Sequence, residues 1–101
     1  MAIYRKDEFI ILRASKGFIV YNTKKKWESG HSHLRSFKAA KTAINLVQKG
    51  KMPRSRGLYY LTTLQRIATD ERYVARIEQL KTTRRQKGRK QVYHNVNKGV
   101  R

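Results

Sequence analysis

Cysteine is missing from this chain altogether, proline occurs once, and only six of its 101 residues are Asp or Glu. Without thiols there is neither a disulfide framework nor a thiolate metal site. So few carboxylates also leave little from which to build a metal-dependent nuclease centre, which needs acids in a cluster. Long apolar runs are absent as well. The longest, Phe9 to Leu12 and Phe18 to Tyr21, fall well short of the roughly 20 residues that a membrane span requires. Asp7 and Glu8 interrupt the N-terminal stretch before an apolar signal core can form. The sequence therefore reads as that of an intracellular, cytoplasmic protein with no membrane contact.

What the chain has in excess is positive charge: 25 Lys and Arg give a formal net charge of +19. A folded body carrying that many like charges repels itself, and a bound polyanion relieves the repulsion. Each phosphate neutralised by a lysine or arginine also releases condensed counterions. Solubility alone asks for about half as much charge or less on a small domain. Nucleic acid is the expected partner, ahead of an acidic protein. The acids sit at Asp7, Glu8, Glu28, Asp70, Glu71 and Glu78, so Thr23 to Arg56 carries ten Lys and Arg against Glu28 alone, and nothing after Glu78 is acidic. The excess is thereby divided into a central zone and a C-terminal one.

Hydrophobic residues make up 39% of the chain, enough for one modest core. Phe9 to Leu12 and Phe18 to Tyr21 flank Ala14-Ser15-Lys16-Gly17 and predict a β-hairpin, since aromatic and β-branched residues favour strands and Gly17 tolerates positive φ. Asn22 to Arg35 reads as a polar loop, with a weak signal for a third short strand around His31 to Leu34. Ser36 and Gly50 bracket a helix whose apolar stripe is Phe37, Ala40, Ile44 and Val47. Leu58 to Ala68 predicts a second helix, buried through Tyr60, Leu61, Leu64 and Ile67. Thr69 or Asp70 caps a third, carrying Tyr73, Val74, Ile77 and Leu80 and ending near Lys81 to Arg85. The fold class is α+β: an N-terminal β-hairpin packed by about three helices, a single domain over residues 1–85, then a flexible basic arm over 86–101 that has too little apolar surface to order itself.

The folded contact surface is assigned to Lys24, Lys25, Lys26, Trp27, Lys38, Lys41, Lys49, Arg54 and Arg56, and the arm's contacts to Arg84, Arg85, Lys87, Arg89 and Lys90. Aromatic planes next to cations suit base stacking, and arginine suits bidentate contacts to phosphate or guanine. Trp27 is equally well suited to closing the rim of the core; Tyr60 falls on the buried stripe and Tyr59 off it. His31 and His33 share a face if their segment is a strand, but two imidazoles do not complete a metal site, so no metal or cofactor is expected. No Gly-rich phosphate loop follows a strand and no serine occupies a nucleophile motif, so catalysis is not expected either. The helices on either side of Ala68 to Asp70 have helix-turn-helix spacing, but the second opens on acids that would face phosphate unfavourably. Few aromatics look free to stack, which favours DNA over RNA. The alternatives are an inhibitor or adaptor docking on an acidic protein and a small ribosome-associated protein. Size and basicity also fit an accessory protein of a phage or mobile element. No motif chooses among these, and the oligomeric state is open.

Overall fold

A computed structural model describes residues 2–54 and 57–83. The chain opens with four strands, β1 (Ala2–Lys6), β2 (Phe9–Ala14), β3 (Gly17–Asn22) and β4 (His31–Leu34), which form one antiparallel sheet in the order β1-β2-β3-β4. The expected hairpin is the β2–β3 pair, with Ala14 opposite Gly17 across the Ser15-Lys16 turn. Gly17 is needed there on two counts. Its φ is +109°, and a Cβ would lie 2.5 Å from the carbonyl oxygen of Leu34. The weakly signalled strand at His31 to Leu34 is β4, paired with β3.

Two features go beyond the predicted hairpin. β1 is added at the other edge, turned onto β2 through Asp7, whose φ of 55° is a left-handed conformation that Asp tolerates. The stretch Asn22 to Arg35, expected as a loop, holds a single helical turn, α1 (Trp27–Gly30), as well as β4. Besides a local bond accepted from the Lys24 amide at 2.8 Å, its course is set over long range by the buried Asn22 side chain, which donates to the Ile67 carbonyl at 2.8 Å. Sequence-local signals do not carry such contacts.

The helices follow the chemistry of their ends. α2 (Phe37–Lys49) starts at Ser36, whose hydroxyl accepts from the Ala39 amide at 3.0 Å, and stops at Gly50 in the left-handed region, with the Lys51 amide bonded back to Leu46 O. α3 (Leu58–Ile67) buries Tyr60, Leu61, Leu64 and Ile67 as its spacing predicts, and Thr63 besides. Residues 71–83 are also helical (α4 below), capped by the Asp70 carboxylate, which accepts from the Arg72 amide. Tyr73 and Ile77 reach the core from it.

Cross-strand register separates the two faces of the sheet. Phe9, Ile11, Val20 and Leu34 face the helices and join Ala40, Ala43, Ile44, Leu61, Leu64 and Ile67 in the buried cluster. Lys6 is on this side too, and its ammonium donates to Asn45 of α2. The opposite face carries Arg5, Ile10, Leu12, Ile19, Tyr21, His31 and His33, by strand alternation. Among the described residues, no helix is long and apolar enough to cross a membrane. The α+β architecture is thus as expected, with the weakly signalled third strand present as β4 and the fold enlarged by β1 and α1. The arm over 86–101 lies outside the described residues.

Candidate nucleic-acid interface

The meander has two ends. The β1–β2 turn and the β3–β4 connection lie at one, and the β2–β3 turn and the start of α2 at the other. Carboxylates gather at the first. Asp7, Glu8 and Asp70 line one cleft there together with Gln48, which donates to Asp7 at 2.7 Å. At the second end Lys16, Arg35 and Lys38 are exposed, and none of their charged groups has a hydrogen-bond or ion-pair partner among the described residues. Between described residues the structure gives one ion pair, Lys81 with Glu78 at 3.7 Å. The charge of the fold is therefore largely uncompensated from within, and most so at the Lys16–Arg35 end.

The cations singled out from sequence do not form one patch. Lys24 and Lys26 are exposed beside Trp27 at the carboxylate end, whereas Lys38 is at the opposite end. The Lys41 ammonium lies over the rings of Tyr4 and Phe37, 5.2 and 5.5 Å from their centroids, in cation–π contact with both. Lys49 ends α2, a helix of about 20 Å, far from Lys38. Arg54 is exposed in the connector after it. Arg56, Arg84, Arg85, Lys87, Arg89 and Lys90 lie outside the described residues.

Lys25 requires a correction. Its ammonium turns inward and donates to the carbonyls of Arg66 at 2.6 Å and Ala68 at 3.0 Å. Burial, and then the positive charge of Arg66, hold its pKa below the ordinary lysine value. A group spent on the end of α3 is not a phosphate contact.

Trp27 is 43% exposed rather than tucked into the core rim. It stacks on His31 with ring centroids 4.1 Å apart and planes within 8°, while Tyr21 meets it edge-on at 5.1 Å. His31 Nδ1 bonds the Trp27 carbonyl, which holds the pair in register. His33 follows at 5.3 Å from His31 on the same face, as alternation predicts. Tyr59, 59% exposed, anchors its hydroxyl on the His33 carbonyl at 2.7 Å. A shallow groove lined by Lys16, His33, Leu34, Arg35 and Tyr59 continues from there. An aromatic track thus runs along β4, over about 10 Å of strand, with cations at both ends.

β4 is an edge strand, and α3 covers that edge. Three side chains on one stripe of α3 hold it: Tyr59 to His33 O, Thr63 to the Ser32 hydroxyl at 2.6 Å, and Arg66 to His31 O at 2.6 Å. Arg66 also donates to Glu28 O at 2.6 Å and so fixes α1. Spacing of i, i+4, i+7 puts the three on one helical face. Lys16, Arg35 and Tyr59 were missed in the sequence because it is the fold that brings the β2–β3 turn, the end of β4 and α3 together. No protein-family model, curated protein or solved structure matches this chain.

Proposed function

We propose that the protein is a non-enzymatic nucleic-acid-binding module that engages the phosphate backbone. The supporting observation is the acid-free end of the fold, where Lys16, Arg35 and Lys38 have no described partner and Lys16 and Arg35 share a groove with the exposed Tyr59. A polyanion placed there meets cations that lose no internal bond on binding it. The basic run from Arg84 to Lys90 adds further phosphate partners from the same chain. Engagement of about six to ten phosphates predicts that affinity falls by roughly 10³ to 10⁵ between 50 and 200 mM salt. Titrations of labelled nucleic acid across that range check this, and a flat response refutes it. Reversing the charge of Lys16, Arg35 and Lys38 to Glu together abolishes most of the binding, with unchanged circular dichroism. Retention of full affinity by that variant moves the contact surface elsewhere.

A further inference from the structure

Trp27 and His31 are already stacked as two bases stack, and Trp27 as a residue is still 43% exposed. We propose that the track along β4 binds a single strand of RNA, with bases stacking on Trp27 and the His31–His33 pair. This rests on the nucleic-acid reading above and goes further by naming the class of strand.

The choice of a single strand follows from which surfaces the protein offers. Stacking needs the face of a base, which a duplex keeps inside its helix, whereas a duplex offers only base edges and phosphates. The parallel Trp27–His31 pair at 4.1 Å turns one face of each ring onto the other, so the surface left for a base is the exposed part of Trp27 and the exposed His33 ring, which meets His31 edge-on at 70°. His33 lies 5.3 Å further on, and the neighbouring residues of that sheet face, Ile19 and Leu12, are apolar. Such a surface suits splayed bases, and the arginine of this face, Arg5, lies on β1 at the edge of the sheet away from β4. The phosphates fall instead to the ends of the track, to Lys24 and Lys26 beside Trp27 and to Lys16 and Arg35 beyond His33. An acidic protein could use those cations, but its carboxylates would make no use of the stacked rings.

Glu28 distinguishes RNA from DNA. It is the sole carboxylate between Thr23 and Arg56, it directly follows Trp27, and it is exposed. Its backbone carbonyl is held by Arg66, while its carboxylate has no partner among the described residues. Beside a DNA strand this carboxylate only repels phosphate. Beside RNA it is an acceptor for a 2′-hydroxyl, the group that separates the two polymers.

Trp27 is the only tryptophan, so its fluorescence reports on the track directly. The full chain is titrated at matched low salt with oligouridylate, the deoxyuridine strand of equal length and a duplex, each of about ten units. Binding is followed both by Trp27 quenching and by anisotropy of the labelled nucleic acid. The expected result is quenching by the RNA strand and tighter binding of RNA than of DNA or duplex. Trp27→Ala and His33→Ala each weaken RNA binding by about tenfold, and Glu28→Gln narrows the gap between RNA and DNA. RNA that binds without quenching overturns the stacking track and leaves phosphate binding standing. Equal quenching by the two single strands, unaffected by Glu28→Gln, overturns the assignment to RNA, and tighter duplex binding overturns the single strand. If no nucleic acid binds at low salt, the underlying function itself is wrong.

Discussion

Of three consecutive lysines, the middle one holds two carbonyls that the C-terminal end of α3 would otherwise leave bare. Asn22 holds a third, that of Ile67. A cation is well placed at a helix C-terminus, where the macrodipole is negative. Lys25→Met therefore removes a cap while nearly conserving the stem, and should destabilise the fold by about 1–3 kcal/mol in chemical denaturation with little effect on nucleic-acid affinity. Lys24→Ala and Lys26→Ala should do the reverse, weakening binding at unchanged stability. Tyr73 gives a second test. Its hydroxyl donates to Lys51 O at 2.8 Å. Burial first, then nearby Tyr60, against the opposing effect of Arg76, raises its pKa to about 12 from 10.0. Below the ordinary value both folded and unfolded chains keep the proton, so the contribution is whole. Between pH 10 and about 12 the unfolded chain gives up its proton first, and stability falls as pH rises. Tyr73→Phe should flatten that alkaline loss in melting curves, and an unchanged slope would exclude Tyr73 as its source.

At the scale of elements, the stripe Tyr59–Thr63–Arg66 ties α3 to the free edge of β4. Open strand edges invite pairing with other chains, and side-chain donors laid on the outward carbonyls block it. Arg66→Met combined with Tyr59→Phe should cost about 1 kcal/mol for each bond lost. The loss should show first as faster hydrogen exchange in β4 and α1, with β2 still protected. Uniform loss of protection would mean that the edge contacts merely share in global stability. These same elements show which parts of the fold are legible in the sequence. α2 is bracketed by Ser36 and Gly50, α4 opens on Asp70, and the hairpin turns at Gly17, because caps and turns act within a few residues. β1 has only Ile3 and Tyr4 as strand formers among charged neighbours, and it exists through pairing with β2. α1 and the path to β4 depend on bonds from Asn22, Lys25 and Arg66 to residues some 35 to 45 positions away. The number of cations in the central zone is legible, and their directions are not. Lys25 points inward, and Trp27 and Tyr59 are exposed, contrary to the premise that favoured DNA.

For the molecule as a whole, distribution matters more than total charge. Asp70 meets Asp7 and Glu8, more than 60 positions away in the sequence, at one end of the sheet, and Lys16 and Arg35 meet at the other, where Lys38 stands in the first turn of α2. Such a body has an electric dipole in addition to its net charge. On the proposed reading, the field of a polyanion would exert a torque as well as an attraction, favouring approach by the acid-free end even though Lys24 and Lys26 lie at the other. Orientation is what usually slows protein association below the diffusion limit. Neutralising the cleft by Asp7→Asn, Glu8→Gln and Asp70→Asn raises the net charge but shortens the dipole. If alignment matters, the association rate measured in stopped flow should rise less than the added charge alone predicts. A rise that follows net charge alone would mean that the molecule arrives without preferred orientation. On the proposed nucleic-acid reading, the three carboxylates would then act at a distance, as the tail of a compass needle whose head is the opposite end.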